Sequence, residues 1–432
     1  MSQQHQTKDS LSSSSNKPLK IAFTHPDLGI GGAERLIVDA AVGLQNLKGH
    51  HVTVFTSHHD PKHCFSETCD GTLKVHVYGD FLPRALFGYF HVFFAILRMF
   101  YCSFMMYLNH SSENYDIIIV DQVSHHIPLL KLFFPKSKII FYCHFPDKLL
   151  VRWDDSRISL LKKLYRIPFD YFEEVTTGMA HSICVNSDFT KQIFYESFKR
   201  LANCTVQVLY PPINVSSYDE EPSDSDLEKC TFFKRIQECD LSVVSINRFE
   251  KKKNIALLVK AFAKYVKPQF PEALLILAGG YDPRIAENIQ VLEELKQLVK
   301  ENDLQDQTIY VPSFNNIDRY VMLRYCTVVA YTPQGEHFGI VPVEAMYCER
   351  CVVALKSGGP KESIKDGETG LLAEIHPHNE EETVRNFGNC ICEFLVMTPK
   401  QRENFGQRAR QRVIDNFTLQ SFATSLNRII RS

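Results

Sequence analysis

From Leu19 the chain reads LKIAFTHPDLGIGGAERLIVDAAVGLQNL, an apolar run, a glycine loop and then a segment of longer period. Leu36, Ile37, Ala40, Ala41, Leu44 and Leu47 recur at helical spacing, so this segment predicts a helix with one buried face. HVTVFTS (51–57) returns to the period of two that marks a strand. YDIIIVDQ (115–122) and SKIIFYCHFPD (137–147) are apolar without alternation, and HSICVNS (181–187) and VQVLYPP (206–212) continue the series. Such strands are buried on both faces, as in a parallel sheet covered by helices.

The pattern breaks at SSYDEEPSDSDLEK (216–229), acidic, serine-rich and interrupted by proline, which reads as a linker or surface excursion. Its Asp224 and Asp226 imitate a metal-binding D-x-D, but within an acidic run they read as solvated surface. Strand and helix then alternate again. LSVVSINRFEKKKN predicts a strand and loop, IALLVKAFAKYV a helix, EALLILAGG a strand and 285–302 a long helix. QTIYVPSF and VVALKSGG are further strands, and VVAYTPQGEHFG a strand and loop before the helix PVEAMYC. Two α/β halves follow, each with its own parallel sheet and with ligand loops beyond the carboxyl ends of the strands. Two such faces make a cleft.

A length of 432 residues suits two or three domains, and 44% hydrophobic with 23% charged residues suits sizeable cores. A net charge of −2 supplies no general field for nucleic acid. Residues 1–17 are polar and serine-rich, without a secretory apolar run, and read as a disordered tail. The 13 scattered cysteines argue for free thiols in a reducing compartment, and the pair Cys348 and Cys351 lacks partners for zinc. The sequons at Asn109, Asn203, Asn214 and Asn416 are therefore expected to be unmodified.

The loops of the second half carry groups suited to a phosphorylated ligand. Arg248 offers a planar fork and Lys253 a compact charge, although RFEKKKN also suits a plain basic turn. Gly358 and Gly359 let backbone amides approach an anion at a helix start, or form a tight turn. The loop GIGGAE (29–34) has Glu34 where a dinucleotide fingerprint needs its last glycine, which disfavours a Rossmann oxidoreductase. In EHFGIVPVEAM (336–346), Pro342 suits the first helical position and would put Glu344 in the first turn. Glu336 then lies in the loop, with the amides of Phe338, Gly339, Ile340 and Val341 facing a ligand.

The joint pattern resembles a known family. RFEKKKN, YTPQGEHFGIVPVEAM, SGGPKES and DGETGLL occur in the order and spacing of retaining glycosyltransferase family 4, whose paired glutamates form an E-x7-E motif. HPDLGIGGAERL and CHFPD are similar to the branch that assembles dolichol-linked oligosaccharide. The resemblance covers Leu19 to about Asn416. It implies the GT-B fold, two Rossmann-like domains over 18–213 and 214–413, with a helix from 414–432 packing back on the first. It implies a mannosyltransferase with GDP-mannose as donor and a dolichol-pyrophosphate-linked oligosaccharide as acceptor, adding α-1,3 and then α-1,6 mannose in N-glycan precursor synthesis. Arg248 and Lys253 would hold the donor diphosphate, Glu344 the ribose, and Gly31 and Gly32 would close over the phosphates. Glu336 and His144 would stand at the reacting sugar. His337 departs from the glycine of many members at that position. No cofactor or metal is expected, since the two cations can stabilise the leaving diphosphate. Another sugar nucleotide or acceptor, an epimerase, or a non-catalytic sugar-nucleotide-binding subunit are the alternatives. The last predicts a missing motif residue, and none is missing.

ALFGYFHVFFAILRMFYCSFMMYL (85–108) carries one formal charge, Arg98, and is long enough to span a bilayer. A span here would put strands of one sheet on opposite sides of the membrane. The segment therefore predicts a helix docked on the domain with an aromatic face at the membrane surface, the plainer reading being a buried core helix. The expected setting is the cytoplasmic face of the endoplasmic reticulum membrane, beside other glycosyltransferases of the pathway.

Overall fold

The computed structural model describes residues 17–86, 90–149 and 160–432. Nearly all of the predicted tail, and residues 87–89 of the apolar segment, lie outside them. Two compact units divide the chain: Met1–Pro212 with Leu419–Ser432, and Ile213–Thr418.

The first unit is built on seven parallel strands in the order β3-β2-β1-β4-β5-β6-β7. They are β1 (Lys20–His25), β2 (His51–Thr56), β3 (Lys74–Val77), β4 (Ile117–Asp121), β5 (Lys138–Cys143), β6 (Ser182–Val185) and β7 (Val206–Val208). The second unit repeats the plan with six parallel strands in the order β10-β9-β8-β11-β12-β13. These are β8 (Ser242–Ile246), β9 (Leu274–Gly279), β10 (Thr308–Pro312), β11 (Val328–Tyr331), β12 (Cys351–Leu355) and β13 (Leu371–Ala373). Strand order reverses between β1 and β4 in one unit and between β8 and β11 in the other. Loops diverge there and open a crevice for ligand.

Helix α1 (Gly32–Lys48) starts directly after the glycine loop. Its apolar face packs on the sheet and on the last helix, Leu419–Arg431, whose Phe422, Leu426, Ile429 and Ile430 join Leu36, Ile37, Ala40 and Leu44 in one core. Fully burying each large side chain contributes about 1.5–3 kcal/mol. Gly43 lets the two helices touch, because a Cβ there would stand 2.9 Å from that of Ala423. The chain crosses back to the first unit at 418/419 rather than at 413/414, because the helix Pro399–Asn416 belongs wholly to the second unit.

The apolar segment forms helix α2 (His91–His110), a shorter helix than 85–108. Ile96, Met99, Cys102 and Met106 face the protein, whereas Phe93, Phe100, Phe104 and Leu108 are exposed. Arg98 is on the buried side, where it donates to the carbonyls of Ser57 (2.9 Å) and Gly79 (3.3 Å). The segment's single charge thus ties α2 to the loops after β2 and β3. Because β3 before α2 and β4 after it lie in one sheet, α2 is a covering helix with an apolar outer face. All thirteen cysteines are free, and Cys348 and Cys351 are buried.

Candidate active site

In the second unit, a cavity of about 260 Å³ opens at the strand-order reversal. Ile246, Asn247 and Arg248 reach it from the end of β8, and Tyr331 from the end of β11. Gly279 and Gly280 give it a flat wall. A Cβ on Gly279 would collide with the Asn247 carbonyl, and one on Gly280 would press on the Arg248 side chain. Only glycine lets the RFEKKKN loop lie so close.

The turn Lys251–Lys253 ends at Asn254, which has φ of 49°, and Thr332 donates to the Lys253 carbonyl at 2.7 Å. These restraints bury Lys253 and aim its ammonium at Glu336, 2.5 Å away. An ammonium has three donors, and among the described residues Glu336 takes one of them, so two can face a ligand. Arg248 stays exposed and pairs with Glu250 at 3.1 Å. Both predicted diphosphate cations therefore share one cavity with Glu336.

The Glu336 loop is braced by the segment after β12. Gly359 donates its N–H to the Glu336 carbonyl at 2.8 Å, and Cβ atoms at Gly358 or Gly359 would strike the backbone of Glu336 or Phe338. This glycine pair serves close backbone contact. The Gly359 amide expected for an anion is taken by Glu336.

The following helix spans Ile340–Tyr347, behind Gly339 at φ 78°. It begins two residues earlier than Pro342 predicts, and Glu344 falls in the second turn. Proline is tolerated at the third position because no amide of the first turn has an intrahelical acceptor. Gly339, Ile340 and Val341 line the cavity. Phe338 does not: its side chain is buried, with its ring 5.5 Å from that of Phe417.

Glu344 is buried and accepts a hydrogen bond from Arg319, which also donates to the Tyr218 hydroxyl at 2.8 Å. Burial pushes the Tyr331 phenol up, and the Glu336 and Glu344 charges push it further. Tyr218 comes from the acidic stretch read as a linker. That stretch forms short turns, Ser216–Asp219 and Asp224–Leu227, within the second unit, and Asp219 accepts from Tyr347 at 2.7 Å and Arg410 at 3.0 Å. Asp226 does behave as surface, paired with Lys229. Arg319 and Tyr218 had no motif to announce them, whereas Tyr331 opens YTPQGEHFGIVPVEAM without having been singled out.

The first unit gathers charge at its own reversal point. His25 ends β1 and Asp121 ends β4, one step beyond the paired Thr24 and Val120, and both are fully buried. His25 Nδ1 lies 2.7 Å from Asp121 Oδ2, and His144 Nε2 lies 2.8 Å from Asp121 Oδ1, a charge contact outside hydrogen-bond alignment. His144 follows β5, keeps its ring against Tyr142 with centroids 4.8 Å apart, and accepts from Asn186 through its carbonyl at 3.2 Å. On the far side, His25 Nε2 is 3.8 Å from Glu34 in the first turn of α1. Burial would lower the His25 pKa, but the hydrogen bond to Asp121 and the charges of Asp121 and Glu34 outweigh it and lift it to about 9. Burial would raise Asp121; the His144 charge and the hydrogen bond with His25 hold it low instead.

Gly31 and Gly32 open α1 beside this cluster. A Cβ on Gly31 would collide with the Glu34 carboxylate, whereas Gly32 has open space. An anion is favoured at a helix N-terminus, and Glu34 already provides one. The departure of GIGGAE from the dinucleotide fingerprint thus has a physical content: Glu34 is the partner of a buried imidazolium. A larger opening of about 510 Å³, lined by Lys20, His50, His51 and Lys74, lies at the amino ends of β1–β3. It is away from the crevice where such sheets hold ligands.

Residues 30–217 match Glycosyltransferase Family 4, and residues 228–412 match Glycosyl transferases group 1. The fold is similar to sucrose-phosphate synthase from Thermosynechococcus elongatus, with a TM-score of 0.69 at 20% identity over 96% of this chain and 98% of that one. It is also similar to Anabaena HepE in complex with UDP-glucose, with a TM-score of 0.62 at 18% identity over 96% and 99%. At those identities the likeness concerns fold alone. The class is that of GT-B glycosyltransferases, enzymes made of two Rossmann-like parallel-sheet domains.

Two relatives narrow it. The α-1,3/1,6-mannosyltransferase ALG2 of Rhizomucor pusillus is 47% identical over 95% of this chain and 91% of that protein. Its counterpart of the same name in Homo sapiens is 41% identical over 95% of each. The chain belongs to the α-1,3/1,6-mannosyltransferase family.

Proposed function

We propose that the protein transfers mannose from GDP-mannose, with retention of configuration, to a dolichol-pyrophosphate-linked mannosyl-chitobiose, first in α-1,3 and then in α-1,6 linkage. The observation that carries the reading is the cavity at the β8–β11 reversal, where Arg248, Lys253 and Glu336 converge beside the first turn of the Ile340–Tyr347 helix. A leaving diphosphate gains charge as the glycosidic bond breaks, and two cations with first-turn amides are suited to receive it. Glu336 stands where positive charge develops on the sugar, and buried Glu344 suits the ribose hydroxyls. On the same-face route, the C1–O bond to the diphosphate breaks while the acceptor oxygen bonds C1, and the acceptor proton passes to the departing diphosphate.

His144, Gly31 and Gly32 belong to the first unit and are read as the acceptor-side and phosphate-covering groups. The exposed apolar face of α2 is read as a membrane-surface contact, which suits an acceptor carried on a lipid, and the setting proposed with it is the cytoplasmic face of the endoplasmic reticulum membrane.

Purified protein incubated separately with GDP-mannose, UDP-glucose and UDP-N-acetylglucosamine and with the lipid-linked acceptor tests this by product mass. One and then two added hexoses from GDP-mannose alone are expected, with or without a chelator. Transfer from a uridine nucleotide alone would overturn the donor assignment, and loss of product on chelation would add a metal to the site.

A further inference from the structure

Four separate segments of the first unit meet around one carboxylate. Asp121 is wholly buried, and its two oxygens are divided between two imidazoles, His25 at 2.7 Å and His144 at 2.8 Å. His25 has no exposed surface, whereas the His144 side chain is 23% exposed. One imidazole is thus internal to the network and the other is its outlet. The network continues from His25 to Glu34, whose carboxylate occupies the space beside Gly31. His144 and the glycine loop, which the sequence presents as unrelated motifs more than a hundred residues apart, are the two ends of one buried chain of charge.

We propose that Asp121 is a positioning residue for transfer: it fixes the ring of His144 and, through His25 and Glu34, the shape of the Gly29–Gly32 loop. The proposal rests on reading His144 and the glycine loop as substrate-facing. Its physical basis is the cost of leaving a buried charge unpaired. Removing Asp121 strands a buried imidazolium, so His25 must lose its proton or move, and Glu34 loses its partner. Among the described residues, His144 then keeps its ring contact with Tyr142 and its backbone tie to Asn186. His25, lifted to about 9, remains a cation at neutral pH and can hold both carboxylates in place. A plain core ion pair would need no solvent-reaching imidazole on its second oxygen.

A double-mutant cycle separates the two. Asp121→Asn keeps the shape of the side chain and removes its charge. Acting through His144, it should lower kcat on the order of 100-fold, the penalty for misplacing a reacting group by about 1 Å. In a His144→Ala background the same substitution should cost less than about threefold, because coupled residues are not additive. A purely structural Asp121 would cost the same factor in both backgrounds, and that result would overturn the proposal. If His144→Ala alone leaves kcat unchanged, the reading of His144 fails instead. Glu34→Gln tests the other arm and should raise donor KM with a smaller change in kcat; an unchanged KM would detach the loop from the network. Circular dichroism checks folding. Where Asp121→Asn does not fold, His25→Gln takes its place in the cycle, with the same expectation and the same overturning result.

Discussion

Glu336 and Glu344 belong to one motif yet occupy different surroundings. Glu336 is partly exposed and held by Lys253, while Glu344 is buried and held by Arg319. Glu336→Gln should lower kcat with little change in donor KM, since its charge matters most when the sugar carries positive charge. Glu344→Gln should mainly raise donor KM, because ribose binding is equal in ground and transition states. Steady-state kinetics on both variants decides this, and equal losses of kcat with unchanged KM would remove the division of roles. Residues in local motifs (Arg248, Lys253 and the two glutamates) were legible in the sequence because their spacing is short. Tyr218 and Arg319 were not, since they meet across 101 positions and each looks like ordinary surface in its own segment. Asp121 was hidden differently: it closes an apolar strand, where a carboxylate reads as a solvated end.

At the scale of elements, periodicity identified the strands apart from β3 and β13, which at four and three residues are too short to show a period, and the lack of alternation in the others identified a parallel sheet. Strand order was illegible because pairing joins segments far apart, as β1 with β4. Helix starts were misplaced where proline seemed decisive, as at Pro342. Helix α2 combines both lessons, since its composition allows a span and its place between β3 and β4 does not. Phe93, Phe100 and Phe104 are 43%, 36% and 46% exposed, so replacing them with serine should leave the fold intact. Each ring fully withdrawn from water contributes about 1.5–3 kcal/mol, so the triple variant should float far less with liposomes than the parent protein. Undiminished flotation of the folded variant would reject α2 as the membrane contact.

For the whole molecule, the two units should respond differently to pH. His25, lifted to about 9, contributes stability that is complete below 6.5 and is lost as pH rises toward 9. Glu173, lifted to about 8 by burial and the Asp147 charge, holds a proton in the fold that the unfolded chain releases from 4.5 upward, so its contribution also falls as pH rises. Burial lowers His125 to about 4 and His126 to about 3, and these neutral imidazoles destabilise the fold as pH drops below 6.5. The slopes meet near pH 6.5, and all four groups lie in the first unit. In the second unit, cysteines and tyrosines such as Cys326, Tyr331 and Cys348 are pushed up, away from neutrality. Scanning calorimetry between pH 5.5 and 8.5, values taken as about one unit or more either side of the reference histidine pKa, should show one transition with its highest Tm near 6.5 and a second nearly flat. A first transition whose Tm climbs steadily to the alkaline limit would mean that His25 is neutral in the fold.

The helix Leu419–Arg431 gives the order of synthesis a meaning. A ribosome makes all of β1–β7 and then the entire second unit before the segment that covers α1 appears. Until then Leu36, Ile37, Ala40 and Leu44 lack the side chains that complete their core. The nascent first unit therefore keeps part of its apolar core uncovered throughout translation of the second. A nonsense codon just after the second unit would leave every proposed substrate-contacting residue in place and still deprive the first unit of its closing piece.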